Sequence, residues 1–480
     1  MELQEKTLTQ AFRETVRKYG DRPAVRDIHE TLTYAQLAEQ VEHLAGSFLL
    51  FGYGYGVHIG VLAANGIPAL TAYLAAWEIG AVVVPLNIHF TDRELNDCLE
   101  QADVQLLLSD RPVETEVPVW LLHNLPETVY SSVHSFVKPY DTDMILFTSG
   151  TLARPKPVLS THFARYNTAV SQMEALELTE QDSLVAVLPM FHCFGLTATV
   201  LPAILAGACL CFPADTHSYS VLDMVEAGRC TILTAVPSLF LAIMRRQANE
   251  PRDISSLRAG YVGGSTYSAD FLQKAEACLG MTILPSLGQT EATAGLTTAS
   301  LCDPFEVRAA TIGHIFPHLE YRIEDGELCV RGYAVTPGYY KMPEATAEII
   351  DKDGWLHTGD LVREWNGNLI YEGRRKELII RGGENISPLE LETALLNDSR
   401  IRECKVLGVP DPHWTEIVCA SIVPEEALSE EEVLGILKDQ VADYKLPQKI
   451  VFLKKLPRTS TGKVNKLELR KIIAEGENAS

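Results

Sequence analysis

The segment Ile145–Lys156 reads ILFTSGTLARPK and joins an apolar run to a polar loop that ends in a lysine. Three hydroxyl side chains surround Gly150 in this loop, those of Thr148, Ser149 and Thr151. Glycine lets backbone N–H groups approach an anion closely, while the hydroxyls and Lys156 add donors and positive charge. The segment therefore predicts a buried strand followed by a phosphate-binding loop, with a hydroxyl-rich turn as the alternative. Its spacing differs from that of the P-loop in nucleotide hydrolases.

Helical and strand patterns alternate on both sides of this segment, up to about residue 320. Apolar residues recur at helical spacing in Thr7–Tyr19 and Tyr34–Phe51, and short apolar runs follow at His58–Ala63 and Ala81–Pro85. This alternation predicts βαβ units on a largely parallel sheet.

The pattern changes after residue 320, where short strands are separated by the turn sequences Asp325–Gly326 and Asn366–Asn368. Such dipeptides favour hairpins. Beyond Gly373 a small α+β pattern begins. We therefore predict a boundary between residues 374 and 375, with a large N-terminal domain (1–374) and a small C-terminal domain (375–480).

Composition and charge exclude several classes of protein. The chain has 480 residues, 46% of them hydrophobic and 22% charged, which is typical of a globular protein with more than one domain. A formal net charge of −22 argues against general affinity for nucleic acid or anionic membranes. The range Lys445–Lys471 is an exception, with nine basic residues and one acid, Glu468, and it predicts a local phosphate-binding or solvated basic face.

The cysteines and the N-terminus indicate a cytoplasmic protein. Ten cysteines are spread singly apart from Cys209 and Cys211, without a CxxC pair or the Cys/His spacing of a structural zinc site. The start of the chain lacks the pattern of a signal peptide, and no apolar run is long enough for a membrane span. Oligomeric state is left open.

Further polar motifs follow in order along the chain. They are PMFHCFG (Pro189–Gly195), YVGG (Tyr261–Gly264), SLGQTE (Ser286–Glu291), HTGD (His357–Asp360), GRRK (Gly373–Lys376), RGGENISPLELE (Arg381–Glu392) and PRTSTGKVNK (Pro457–Lys466). A Gly pair can accept a flat ring, Thr290 offers a hydroxyl to a phosphate, and Glu291 offers a carboxylate to Mg²⁺. The alternative for each motif alone is ordinary packing or a turn; for His192 that is a histidine in the core.

Together, in this order, the motifs resemble those of the adenylate-forming superfamily of acyl-CoA synthetases, peptide-synthetase adenylation domains and luciferases. The resemblance covers residues 8 to 471 and is strongest to bacterial fatty-acyl- or aryl-CoA ligases. It implies an α/β fold: a large N-terminal domain of parallel and mixed sheets with flanking helices and a β-barrel-like part, and a small mobile C-terminal α+β domain.

The resemblance also implies a role for each motif in binding ATP. The hydroxyl-rich loop is implied to bind the β- and γ-phosphates through Thr148, Ser149, Gly150, Thr151 and Lys156. Thr290 is implied to lie near the α-phosphate, and Glu291 and Thr151 are implied to bind Mg²⁺. The adenosine site comprises Gly263, Gly264, Ser265, Leu287, Gly288, Asp360 and Arg374.

Four further residues are assigned by resemblance to catalysis and to the acyl and thiol substrates. Lys463 bridges the carboxylate and the phosphate during adenylation, and His192 is the gate beside the acyl pocket. Lys376 matches the hinge about which the small domain rotates between the two steps. Gly383 lines the tunnel for the pantetheine arm of coenzyme A.

The chain departs from the superfamily in two places. In the phosphate loop a second threonine and two glycines are replaced by Leu152, Ala153 and Pro157, which predicts a stiffer loop with one hydroxyl fewer. Leu287 replaces the aromatic residue that stacks on adenine, so about 0.5–1.5 kcal/mol of stacking is missing. We expect these changes to affect ATP affinity more than the class of reaction.

The predicted acyl pocket is apolar. It comprises His192, Phe194, Val236, Phe240, Gly263, Leu287 and Gly288, without a carboxylate, lysine or arginine. This predicts ATP-dependent activation of an apolar acid, a fatty acid before an aryl acid, and transfer to coenzyme A. The alternatives are an aryl-acid CoA ligase, an acyl-AMP ligase that loads an acyl carrier protein, and a non-enzymatic homologue.

Overall fold

The computed structural model describes residues 2–126, 136–148, 155–265, 267–381, 384–411, 414–438, 440–459 and 462–477. Its α-helices are α1 (Leu8–Tyr19), α2 (Tyr34–Leu50), α3 (Ile67–Glu78), α4 (Asp92–Gln101), α5 (His162–Ala175), α6 (Cys193–Gly195), α7 (Leu201–Ala206), α8 (Ser218–Gly228), α9 (Pro237–Asn249), α10 (Ala269–Leu279), α11 (Phe305–Ala310), α12 (Pro343–Ala347), α13 (Pro388–Leu396), α14 (Glu430–Lys438) and α15 (Lys466–Glu477).

The strands up to residue 300 are β1 (Pro23–Arg26), β2 (Thr31–Thr33), β3 (His58–Leu62), β4 (Val82–Pro85), β5 (Leu106–Ser109), β6 (Val119–Leu121), β7 (Thr142–Thr148), β8 (Lys156–Thr161), β9 (Ser183–Val185), β10 (Cys209–Cys211), β11 (Ile232–Leu233), β12 (Ala259–Val262), β13 (Thr282–Leu287) and β14 (Thr297–Thr298). The later strands are β15 (His314–Ile315), β16 (Glu320–Glu324), β17 (Glu327–Arg331), β18 (Leu356–Trp365), β19 (Asn368–Arg374), β20 (Ile379–Arg381), β21 (Glu384–Ile386), β22 (Ile401–Asp411), β23 (Thr415–Pro424) and β24 (Lys449–Phe452).

Two largely parallel sheets form the first part of the chain. In the described residues one has nine strands in the order β15-β14-β13-β12-β11-β9-β10-β1-β2, and the other has six, in the order β6-β5-β3-β4-β7-β8. Some of their inner strands are buried along their whole length, as Val82–Pro85 and Ala259–Val262 are. Strands covered on both faces need continuous apolar runs. The predicted βαβ organisation is confirmed.

The predicted hairpins form an antiparallel sheet of four strands in the order β16-β17-β18-β19, counted over the described residues. Asp325 and Gly326 have φ of 47° and 79°, and Asn366 and Gly367 have φ of 50° and 78°. Two successive positive φ values are what a two-residue hairpin turn requires, and Asn, Asp and Gly adopt them at little cost. This sheet occupies the place of the predicted barrel-like part.

The end of the chain folds around a separate core. Strand β23 pairs with β20, β22 and β24, and α13 and α14 pack on this sheet. Its core includes Ile379, Leu391, Val406, Val418 and Val433. The predicted boundary between residues 374 and 375 lies at the 3₁₀ turn Arg375–Glu377, and it stays a prediction.

None of the helices in the described residues combines the length and the apolar character needed to cross a bilayer.

Candidate functional site

The turn after β13 presents Thr290 and Glu291 at the carboxyl end of that strand. A Cβ on Gly288 would lie 2.0 Å from the carbonyl oxygen of Ala294, so only glycine fits there. The chain reverses through Thr293 and Ala294, whose φ values are 51° and 80°. This tight turn fixes the direction of the Thr290 hydroxyl and the Glu291 carboxylate.

Glu291 is held by a tyrosine that the sequence analysis missed. The Tyr339 hydroxyl donates to Glu291 Oε1 over 2.8 Å, and the Lys156 ammonium lies 4.8 Å from the centroid of the same ring. The N–H of Thr336 donates to the backbone oxygen of Glu291 over 2.8 Å. Lys156 and Glu291, which resemblance places at the phosphates and the metal, thus share one aromatic neighbour. Nothing in the spacing of Tyr339, 48 residues after Glu291, indicates this contact.

Asp360 is a buried carboxylate with one satisfied oxygen. Its side chain is 1% exposed, and Oδ1 accepts a hydrogen bond of 2.8 Å from Nε of Arg374. Oδ2 is buried and has no hydrogen-bond partner among the described residues. Burial raises the pKa of Asp360, and the Arg374 charge opposes that rise. A buried acceptor needs a donor, so Oδ2 fits a ligand hydroxyl such as those of ribose.

Lys463 reaches the large part of the protein from the C-terminal part. A Cβ on Gly264 would lie 3.7 Å from Cε of Lys463, and Gly264 has a φ of 79°. The loop that carries the lysine is closed by the N–H of Thr459, which donates to the Lys463 oxygen over 2.7 Å. Burial of the amine lowers the pKa of Lys463. Arg374 lowers it further, while Cys193 and Asp360 raise it.

The predicted acyl pocket is lined by the segment around His192. Nε2 of His192 is buried without a hydrogen-bond partner in the described residues, and burial lowers its pKa to about 4, so the ring is neutral. The Phe194 ring packs on Gly263, whose Cβ would lie 3.3 Å from Cζ of Phe194. Cys193 Sγ lies 3.7 Å from Oγ1 of Thr290. This thiol therefore lies between the segment of His192 and Phe194 and the turn that carries Thr290.

Other residues that were predicted for the site lie in the protein core, in a partly buried cluster or at the surface. Phe240 is fully buried in the core, with its ring centroid 6.4 Å from that of Phe271. Leu287 is half-buried and packs in a cluster that also holds Tyr371. Ser265 and Lys376 are exposed, Lys376 in the 3₁₀ turn Arg375–Glu377.

The phosphate loop is described only at its ends. Thr148 ends β7 and Lys156 begins β8, and the two are paired across this antiparallel pair of strands. Five predictions fall outside the described residues, those for Ser149, Gly150, Thr151, Leu152 and Ala153. Gly383, predicted in the pantetheine tunnel, also lies outside them.

Comparison with known proteins was made on the sequence and on the structure. Residues 12–340 match the family model of the AMP-binding enzyme, and residues 390–463 match that of the AMP-binding enzyme C-terminal domain. An indoleacetate–CoA ligase of Aromatoleum aromaticum is 32% identical, covering 94% of this chain and 95% of its own. A 2-succinylbenzoate–CoA ligase of Bacillus cereus is 31% identical, covering 95% and 96%. The solved structure of O-succinylbenzoate coenzyme A synthetase from Bacillus subtilis with ATP and magnesium has a TM-score of 0.87 and 26% identity, covering 97% and 100%.

Proposed function

Since this chain belongs to the AMP-binding enzyme family and is an AMP-forming acid–thiol ligase, we propose that its acid is apolar, with a fatty acid as the first candidate. The enzyme uses ATP, Mg²⁺ and coenzyme A, first to adenylate the acid and then to form the thioester.

The observation that carries the proposed site is the proximity of three groups from distant parts of the chain. Lys463 lies over Gly264 and interacts with both Cys193 and Asp360. Thr290 lies beside Cys193, and one buried oxygen of Asp360 has no hydrogen-bond partner among the described residues. An ammonium and an unsatisfied buried acceptor at one site suit an anionic ligand that also carries hydroxyls. ATP has both features.

In the first step a carboxylate oxygen attacks the α-phosphorus of ATP. A P–O bond forms, the bond from that phosphorus to the bridging oxygen of pyrophosphate breaks, and pyrophosphate leaves. The obstacle is the approach of two anions. The Lys463 ammonium neutralises part of this repulsion and aligns the carboxylate with the phosphorus. Glu291 and Thr151 would hold Mg²⁺, which supplies further positive charge.

In the second step the coenzyme A thiol attacks the acyl carbon, its proton is lost to solvent, and AMP leaves. In the structure Lys463 stands at the large part, which is the arrangement that adenylation needs. We place the rotation that removes it at Lys376, which is exposed in a short turn between β19 and β20. Hinges lie at such element ends.

The apolar acid is supported by the side chains around His192. The ring of His192 is neutral, Phe194 presents an aromatic face at Gly263, and Lys463 is the charged group that acts on His192 among the described residues. A positively charged acyl substituent would be buried there beside the Lys463 ammonium, at a cost of several kcal/mol. An aryl acid is the second candidate, because the named acid of one relative, indoleacetate, is aromatic and has a single carboxylate.

Pyrophosphate release with a panel of acids tests the substrate. Straight-chain fatty acids and uncharged aryl acids should give release, and amino acids should give none. A preference for amino acids or dicarboxylates would contradict the proposal. Phe194→Ala should shift the preference toward bulkier acids, while Phe136→Ala, at a side chain that is 82% exposed, should leave it unchanged.

The identity of the thiol acceptor can be tested in the same assay. The basic range Lys445–Lys471 suits either the phosphates of coenzyme A or an acidic carrier protein. We expect coenzyme A to be acylated and a phosphopantetheinylated carrier protein to be a poor substrate. A carrier acylated at a rate equal to or above that of coenzyme A would favour the carrier alternative.

A further inference from the structure

Three potential metal ligands meet on one face of the antiparallel sheet, outside the site described above. Cys329 of β17 and His357 of β18 are directly paired across the two strands. Glu324 ends β16, next to them on the same face. Among the described residues they form one group whose ligand atoms all lie within 4.8 Å of one another.

The distances suit a tetrahedral ion. Sγ of Cys329 lies 3.5 Å from Nδ1 of His357 and 4.0 Å from Oε2 of Glu324. Bond lengths of about 2.3 Å from zinc to sulfur and about 2.0 Å to nitrogen or oxygen place two tetrahedral ligand atoms about 3.5 Å apart. One of the three ligand pairs therefore already has the required separation. The pair of Cys329 and Glu324 needs a shift of about half an ångström in the exposed Glu324 side chain, and the third pair, Glu324 and His357, lies within 4.8 Å.

We propose that Glu324, Cys329 and His357 form a binding site for a borderline divalent cation of the Zn²⁺ type, with a water molecule as fourth ligand. One thiolate, one imidazole and one carboxylate are a ligand set that selects zinc over magnesium or calcium. On binding, the thiol of Cys329 loses its proton to solvent.

The surroundings of the histidine support this assignment. Nδ1 of His357 faces Cys329, and its other nitrogen, Nε2, lies 3.8 Å from Oδ2 of Asp351. A histidine that binds a metal through one nitrogen commonly turns the other N–H toward a carboxylate, which fixes the ring. Glu327, 3.6 Å from Nδ1, adds a second negative charge.

One cation already lies near the cluster. Nε of Arg322 is 3.1 Å from Oε1 of Glu324, and NH2 of Arg322 is 3.2 Å from Oδ2 of Asp351. The guanidinium also stacks on Trp355, with its carbon 4.4 Å from the ring centroid. Glu324 thus places Oε1 beside Arg322 and Oε2 on the side of the Cys329 sulfur. Arg322 also interacts with the Cys329 thiol, so the arginine side chain would have to move away from the sulfur when an ion binds.

The test is metal binding to the full-length protein, first stripped with a chelator and kept reduced with a reductant that contains no thiol. Titration with Co²⁺ should give a thiolate-to-cobalt charge-transfer band that saturates at one equivalent and is removed by Zn²⁺. Cys329→Ser should abolish this band, and Glu324→Gln should weaken binding by at least about tenfold. Cys278→Ser, at an exposed cysteine elsewhere, should behave as wild type.

Two results would overturn the proposal. One is the absence of a thiolate band in the wild-type protein, and the other is an unchanged band and affinity in Cys329→Ser. Because Cys329 is buried, that variant can fail to fold; Glu324 is exposed, so Glu324→Gln then decides the outcome, and wild-type affinity in it contradicts the site. The readout is independent of ligase activity.

Discussion

The two sides of the proposed nucleotide site are built in different ways. On the large side Glu291 is fixed by Tyr339 and by a backbone hydrogen bond, and Asp360 is buried beside Arg374. On the small side one ammonium, that of Lys463, is carried by a loop closed by hydrogen bonds between the backbones of Thr459, Gly462 and Lys463. The first side is shaped by packing before any ligand binds, while the second is brought to the site by the position of the C-terminal part.

This difference predicts which residues act in both adenylation and thioester formation, and which act in only one of them. We expect groups fixed in the large part to stay in place during both steps, because their hydrogen-bond partners belong to the same part of the chain. A group on the small part is available only in one position of that part. Substitutions on the two sides should therefore affect adenylation and thioester formation in different proportions.

The largest effect is expected from Lys463→Ala. Adenylate formation should fall by at least about 10³-fold, because a charge aimed at the transition state is lost. Thioester formation from supplied acyl-adenylate should change less than about threefold. The two half-reactions are measured separately, by pyrophosphate release and by thioester formation. Lys455→Ala, at another exposed lysine of the same region, is the matched control. If Lys463→Ala slowed both half-reactions equally, the two sides of the site would not differ in the steps that they serve.

A smaller but graded loss is expected on the fixed side. Glu291→Gln should lower adenylation by about 10²–10³-fold by removing the charge that would hold Mg²⁺. Tyr339→Phe should cost about tenfold and raise the Mg²⁺ concentration needed for half-maximal rate, because Glu291 loses the hydrogen bond that orients it. Tyr340→Phe removes a neighbouring hydroxyl that donates to Asp103 instead, and should have no such effect. If Tyr339→Phe needs the same Mg²⁺ concentration for its half-maximal rate as the wild type, Tyr339 does not position Glu291.

The sequence predicted the elements of the fold closely because the periodicity and the caps agree. The helix expected from Thr7 begins at Leu8, with Thr7 as its N-cap in a capping box with Gln10. Hairpin turns at Asp325–Gly326 and Asn366–Asn368 occur where the dipeptides place them. These features depend on neighbours in the chain, so local pattern suffices.

The residues of the site were predicted from the resemblance, but the contacts that hold those residues in place were not predicted. The contacts of Tyr339 with Glu291 and of Cys193 with Thr290, and the group of Glu324, Cys329 and His357, join residues that are far apart in the chain. His357 is 28 residues from Cys329, far from any usual ligand spacing, so no pattern in the sequence predicts the metal site that we propose. Phe240 illustrates the opposite problem, since an aromatic residue near a motif was expected in the pocket and lies in the core.

The proposed hinge should affect the second step alone. Lys376→Pro restricts φ in the turn between β19 and β20 and should slow thioester formation by about ten- to a hundredfold. Adenylation should change by less than about threefold, because the structure already has Lys463 at the large part. Lys376→Ala keeps backbone freedom and is the control. If proline slows both half-reactions equally, the rotation does not occur at this residue.

The smallest effect concerns the stability of the fixed side as pH falls. His162 begins α5, is 1% exposed, and accepts the N–H of Leu8 at Nδ1 over 3.4 Å. Burial lowers the pKa of His162 to about 4, against about 6.5 in an unfolded chain. The unfolded state therefore binds a proton first as pH falls below about 6.5, and this histidine alone destabilises the fold by about 2 kcal/mol at pH 5.

His162→Asn keeps an acceptor near Nδ1 and should reduce the loss of stability between pH 7 and pH 5, measured as the change in urea midpoint. His29→Asn, at an exposed histidine, should leave that change as it is in the wild type. If the midpoints of His162→Asn and the wild type fall equally with pH, the histidine is already solvated, and this part of the large side is less rigid than its packing indicates.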